Sequence, residues 1–101
     1  MLKDWIWLTT RKGLGHRGVL QVLEYFGTPE RAFYADPEQY DQIPGLSSLA
    51  RSSLREKGME GVDRILGECD RLGVRIMTLR DGNYPERLQE IPDPPAVLYI
   101  R

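Results

Sequence analysis

The sequence is poor in the residues that build disulfides and metal centres. It contains one cysteine, Cys69, and one histidine, His16, so neither a disulfide framework nor a transition-metal site is expected, and we expect no cofactor. No apolar run approaches the roughly 18 residues that a membrane helix needs, and the first residues carry no apolar signal-peptide core. These absences favour a cytoplasmic protein with no membrane partner.

The chain also lacks an excess of either charge, with 14 Lys and Arg against 15 Asp and Glu. A protein that coats nucleic acid through bulk positive charge is therefore disfavoured, although a local basic patch is compatible with a neutral total. The carboxylates show no spacing typical of a magnesium site, so a nuclease is disfavoured and we expect no enzymatic activity. Apolar residues make up 41% of the chain, enough for a modest core.

Residues 1–73 have the apolar spacing of short helices. Trp5 and Trp7 share the first helix, and because i and i+2 positions face different sides, we expect one in the core and one half-exposed. Thr28 before Pro29, and Asp36 before Pro37, are helix start signals, the second predicting a helix that ends near Ile43. The later buried stripes are Val19, Val22, Leu23 and Phe26; then Leu46, Leu49, Ala50, Ser53 and Leu54; then Val62, Ile65, Leu66, Cys69 and Leu72. Cys69 is therefore predicted to be a small core residue.

After Gly73 the pattern changes to β-prone. Residues 74–79 predict a strand, residues 81–83 a turn, residues 84–91 a short helix and residues 96–100 a second strand. The second strand is apolar on both faces, so it requires cover on both sides. We interpret residues 74–101 as the beginning of a second, sheet-containing domain that continues beyond this fragment.

An internal repeat has an offset of 32 residues. Gly13 and Leu14 align with Gly45 and Leu46, Gly18 aligns with Ala50, and Val22 with Leu54. Each copy predicts a glycine turn, a helix start, a small residue and then an apolar residue. The first N–H groups of such a helix have no internal partner and favour a phosphate.

The pair of copies resembles the tandem helix-hairpin-helix motif, which holds the nucleic acid backbone without reading bases. Arg11, Lys12, His16 and Arg17 flank the first hairpin, and Arg51, Arg55 and Lys57 follow the second. The acidic residues Glu30, Asp36, Glu38 and Asp41 fall in the connector. The alternative is that the glycine turns are purely architectural. The candidate DNA contacts are Lys12, Gly13, Gly15, His16, Arg17, Gly45, Ser47, Ser48 and Arg51.

The C-terminal segment carries a more specific resemblance. Asp81, Tyr84, Pro85 and Leu88 match a D-x-x-Y-P-x-x-L pattern, and residues 91–99 read I-P-D-P-P-A-V-L-Y. Together with residues 13–15 and 26–30, these motifs resemble bacterial DNA-processing proteins of the DprA/Smf family over essentially the whole chain. The resemblance implies a mainly α fold: a SAM-like tandem helix-hairpin-helix bundle over residues 1–73, then the start of a truncated Rossmann-like domain over residues 74–101.

Proteins of that family bind single-stranded DNA without known catalysis and help to load the RecA recombinase in natural transformation. Their main DNA-binding surface lies in the Rossmann-like domain, beyond residue 101. The resemblance therefore implies an accessory N-terminal module whose partners are single-stranded DNA, RecA and other copies of itself. A protein-interaction or oligomerisation domain without DNA binding is the alternative, and an exposed apolar patch with no basic face would favour it.

Overall fold

The computed structural model describes residues 2–101 and is mainly α-helical with one small sheet. Within this range, seven helices and two strands follow one another. They are α1 (Leu2–Thr9), α2 (Gly15–Phe26), α3 (Pro29–Phe33), α4 (Pro37–Tyr40), α5 (Ser48–Leu54), α6 (Glu60–Leu72), β1 (Arg75–Thr78), α7 (Glu86–Gln89) and β2 (Val97–Ile100). None of these helices has both the length and the apolar character required to cross a membrane.

Local capping chemistry sets several of the helix boundaries. Thr28 caps α3, since its side-chain oxygen accepts a hydrogen bond from the Arg31 N–H (3.1 Å), and Pro29 occupies the first helical position. Gly27 and Gly73 end α2 and α6 with φ of +89° and +68°, a conformation that glycine adopts without steric cost. Other predicted boundaries were wrong by a turn or less: α4 ends at Tyr40, α5 begins after Leu46, and α7 is limited to four residues.

The core is centred on α1. Both tryptophans of this helix are buried, since Trp5 is 8% exposed and Trp7 is 0% exposed. The prediction that one would be half-exposed was wrong because α1 is covered on two sides. Phe33 of α3 packs edge-on against Trp7 at a centroid distance of 4.9 Å. On the other side, the Arg80 guanidinium lies 5.7 Å from the Trp5 ring centroid.

Several residues predicted for buried stripes are exposed or only partly buried. Leu49 is 58% and Leu72 is 43% exposed, and Cys69 is only partly buried. In α6 only Val62 is fully buried, because the helix packs through a narrow strip and its other faces meet solvent. The core prediction for Cys69 was therefore wrong.

The sheet consists of β1 and β2, paired antiparallel with Thr78 opposite Val97 and Ile76 opposite Tyr99. Val97 belongs to the core together with Ala96, whereas Tyr99 is 48% exposed. The Tyr84 hydroxyl donates to the Pro95 carbonyl (2.7 Å) and ties together the segment that connects the strands. Since alternate residues face opposite sides, the side carrying Met77 and Leu98 points away from Val97 and is only partly buried.

Candidate nucleic-acid interface

The first glycines of the two turns, Gly13 and Gly45, have the same left-handed φ. Gly13 has φ +84° and Gly45 has φ +83°, values that other residues adopt only with strain. The aligned small residues Gly18 and Ala50 are both buried, as are Val22 and Leu54 one turn later. The repeat in the sequence is therefore preserved in the conformation of the first glycine and in the burial of the residues that follow it.

Each turn packs against the other copy of the repeat. A Cβ on Gly13 would lie 3.0 Å from the backbone nitrogen of Ala50, and one on Gly45 would lie 3.0 Å from the Gln21 side-chain nitrogen. In addition, the Lys12 N–H donates to the Ser53 hydroxyl (2.7 Å). Gly18, by contrast, lies close to the side chain of Leu14 in its own turn.

The structure brings some of the nine candidate residues together and separates others. Gly13, Arg17, Gly45 and Ser47 line one open groove of 370 Å³ between the two turns. Gly15 and His16 line a different cavity, on the side of β2. Lys12 faces a third, which it shares with Glu56. Ser48 is exposed at the start of α5 and lines none of these three.

The start of α2 leaves backbone donors open to solvent. Its first helical hydrogen bond runs from the Gly18 N–H to the Leu14 carbonyl (3.0 Å), so the N–H groups of residues 15–17 precede the helical ladder. No side chain caps this end, and Gly15, His16 and Arg17 are all exposed. The positive end of the helix dipole adds to the attraction for an anion.

The start of α5 is different, because Ser47 stands where the first copy has Gly15. The Ser47 hydroxyl accepts a hydrogen bond from the Ala50 N–H (3.1 Å) and caps the helix. Gly15 has φ +63°, whereas Ser47 is extended, with φ −72° and ψ 164°. At α5 a side chain therefore satisfies the N–H of the third helical residue, Ala50, whereas the first three N–H groups of α2 have no such partner.

The cations that follow the second turn are engaged within the protein. A terminal nitrogen of Arg51 donates to the Ile43 carbonyl (3.1 Å). Arg55 pairs with Asp41 of the connector at 3.0 Å and also bonds the Pro37 carbonyl. The acidic connector therefore neutralises part of the charge that the sequence places beside this turn.

Most basic side chains beside the first turn are free of partners. Arg11 folds inward, donating to the carbonyls of Trp7 (2.9 Å) and Glu56 (2.7 Å), and burial lowers the pKa of its guanidinium. Within residues 2–101, the side chains of Lys12, His16 and Arg17 are exposed and make no ion pair or hydrogen bond. Of the two turns, the first therefore carries more of the available positive charge, a difference that the near-symmetry of the sequence did not reveal.

The remaining cation, Lys57, occupies a cage of aromatic rings. Its ammonium lies 4.6 Å from the ring centroid of Trp7, 4.9 Å from that of Phe33 and 4.8 Å from that of Tyr40, and it donates to the Tyr40 hydroxyl. That hydroxyl in turn donates to the Ala32 carbonyl (2.5 Å). Sequence reasoning missed this cluster, because its members come from three helices and a loop with no shared motif.

Burial shifts both titrating groups of the cage. It lowers the pKa of Lys57 to about 8, and the nearby charge of Arg11 acts in the same direction. It raises the pKa of Tyr40 to about 12, against the opposing effect of Arg55. Lys57 is thus a structural cation and is not presented to a ligand.

The chain was also compared with protein-family models, curated proteins and solved structures. None of the three comparisons gives a match. Any function assigned to the chain therefore depends on the geometry of the first turn and on the motifs in the sequence. Within residues 2–101, no three side chains of His, Cys, Asp or Glu are grouped as metal ligands would be.

Proposed function

We propose that this chain binds the DNA backbone non-specifically through its first turn, as an accessory N-terminal module of a DprA/Smf-type DNA-processing protein in the cytoplasm. In this proposal residues 1–73 form a SAM-like tandem helix-hairpin-helix bundle, and residues 74–101 begin a Rossmann-like domain. The whole protein would bind single-stranded DNA and assist RecA loading. The module itself would have no catalytic role.

The proposal depends on the start of α2, where backbone N–H groups without partners occur together with exposed basic side chains. Within the described part of the chain, the N–H groups of residues 15–17 have no hydrogen-bond partner, His16 and Arg17 of the same turn of helix are exposed, and the exposed cation Lys12 lies on the loop that leads into it. A phosphate there would accept hydrogen bonds from the backbone and gain charge stabilisation from side chains that need break no existing interaction. The second turn has a capped helix and engaged arginines, so we assign it a supporting role.

An NMR titration of the chain with oligo(dT) tests the proposal. At about 50 mM salt we expect amide shifts concentrated at residues 12–18, smaller shifts at residues 45–51, and weakening of both at about 200 mM salt. Absence of shifts at low salt and millimolar DNA would show that the chain does not bind DNA by itself.

Charge-removing variants identify the phosphate-binding side chains. If Lys12 and Arg17 each neutralise one phosphate, Lys12→Ala and Arg17→Ala should each reduce the slope of log affinity against log salt by about 0.7. Arg87→Ala is the matched control, since Arg87 is an exposed arginine on α7, outside the repeat. Equal effects from Arg17→Ala and Arg87→Ala would indicate diffuse attraction with no site at the first turn.

A second candidate function, self-association or protein docking, is favoured by the outward side of the sheet. Met77, Leu98 and Ile100 are apolar and only partly buried there, and a two-stranded sheet leaves the outer edge of each strand unpaired. Sedimentation of the chain and of Leu98→Lys over a range of concentrations tests this function. A dimer that Leu98→Lys dissociates would support it, and a monomer at all concentrations would exclude self-association through this side.

A further inference from the structure

A cavity of about 410 Å³ lies between the start of α2 and strand β2. This volume falls in the range of about 300–1,000 Å³ that small-molecule clefts occupy. Its apolar lining includes Val19 and Val97, and Tyr99 lines it as well. Gly15 and His16 form the side that adjoins the first turn, so the cavity is continuous with the surface to which we assign phosphate binding.

One polar side chain of the cavity can accept a hydrogen bond from a ligand N–H. Thr10 contributes its hydroxyl, which already donates to the Ile6 carbonyl (2.9 Å), so its oxygen retains lone pairs that can accept a hydrogen bond. Among the residues that the structure describes, no carboxylate lines this cavity, whereas Glu56 lines the one beside Lys12 and Glu24 the one beside Tyr25. A phosphate-bearing ligand therefore meets no repulsive charge among the lining residues.

The side chain of Tyr99 is accessible to a ligand. The residue is 48% exposed although it stands on a strand whose neighbour Val97 is in the core. Burial of the remainder raises the pKa of its phenol, with the nearby Cys69 acting in the same direction, so the ring is uncharged at neutral pH. An uncharged ring with one open side can stack on a flat heterocycle.

We propose that this cavity receives one unpaired nucleobase of a single-stranded nucleic acid, stacked against Tyr99. The inference rests on the proposed function, because the phosphate next to that base would lie at the start of α2. A base in a duplex is stacked and paired and cannot enter, so the cavity would give the module a preference for single strands. Every base offers a flat face, and N–H donors are common on base edges, so the cavity would impose little sequence preference.

The test compares two ligands that differ only in their bases. Affinities of the full 101-residue chain are measured by fluorescence anisotropy for labelled oligo(dT) of about 12 nucleotides and for an abasic oligomer of equal length. We expect oligo(dT) to bind about fivefold more tightly, the lower end of the range for stacking one base on an aromatic side chain. Tyr99→Leu should remove this advantage, and Tyr99→Phe should retain it.

Tyr34→Leu is the control variant, because Tyr34 is 80% exposed, does not line this cavity and should not affect either affinity. Circular dichroism checks that each variant is folded. Equal binding of oligo(dT) and the abasic oligomer by the unmodified chain would overturn the inference and leave the phosphate site standing. Failure to bind either ligand at low salt would remove the proposed function, and the inference with it.

Discussion

The ammonium nitrogen of Lys57 lies 4.6 Å from the centroid of the Trp7 ring, and Trp7 belongs to the hydrophobic core cluster. The loop between α5 and α6 is thereby attached to α1, and the Trp7 indole reinforces this attachment by donating to the Glu56 carbonyl (2.8 Å). Attraction to the ring faces stabilises the ammonium, while removal from water destabilises it. The stability of the fold should therefore depend on the protonation of Lys57.

The first prediction concerns pH. The pKa of Lys57 is about 8 in the folded protein and 10.5 when unperturbed. Between these values the unfolded chain binds more protons than the folded one, so the free energy of unfolding should rise with pH. Below about pH 8 the folded protein carries the full destabilisation that comes from burying the charged ammonium of Lys57. Above pH 10 the raised pKa of Tyr40 acts in the opposite direction, so urea unfolding is best compared at pH 7.5, 8.5 and 9.5.

Lys57→Met provides the reference for this measurement, because it keeps a long apolar side chain without a titrating group. The variant should lose the rise in stability between pH 7.5 and 9.5. A rise of the same size in Lys57→Met would assign the titration to another group.

The second prediction separates two glycines of the first turn. Gly13→Ala introduces a Cβ only 3.0 Å from the Ala50 backbone nitrogen at φ +84°, whereas Gly15→Ala has φ +63° and open space around its Cβ. Backbone strain alone costs about 1 kcal/mol, so we expect that loss for Gly15→Ala and at least twice as much for Gly13→Ala. Chemical denaturation of both variants decides the point, and equal losses would show that the turns do not pack closely.

The third prediction tests the cap of α5. Ser47→Ala removes the hydroxyl that accepts from the Ala50 N–H and should reduce the free energy of unfolding by about 1 kcal/mol. The neighbouring Ser48 is exposed at the first helical position, so Ser48→Ala should be nearly neutral. The two melting temperatures give the comparison, and a neutral Ser47→Ala would mean that the cap contributes nothing.

The fourth prediction concerns the hydroxyl of Tyr40, a residue that is fully buried. Tyr40→Phe keeps the ring but leaves the Ala32 carbonyl without this donor and Lys57 without an acceptor. Leaving buried polar groups unsatisfied costs about 1–3 kcal/mol each, so the unfolding midpoint in denaturant should fall clearly. Tyr34→Phe, at an exposed ring, should leave the midpoint unchanged. A stable Tyr40→Phe would show that water replaces the hydroxyl.

Several features of the fold could be predicted from the sequence because they depend on neighbouring residues. The start of α3 at Thr28 and Pro29 needs only a side-chain oxygen three residues before a free N–H. The 32-residue repeat likewise predicted two equivalent glycine turns, and their φ angles agree within a degree. The exposure of the C-terminal turns of α6 could not be predicted in this way, since an apolar stripe does not show whether a partner covers it.

The sequence by itself determined the positions of the turns and most of the helices, because capping, glycine conformation and helical periodicity act over a few residues. Only the tertiary structure decided which cations are available, since Arg11 reaches the Ser53 carbonyl and Arg55 reaches Asp41 across 42 and 14 residues of sequence. In the sequence, the two copies of the repeat carry nearly equal positive charge. They differ in the folded protein because packing places the acceptors of distant segments beside the second turn and leaves the start of α2 open.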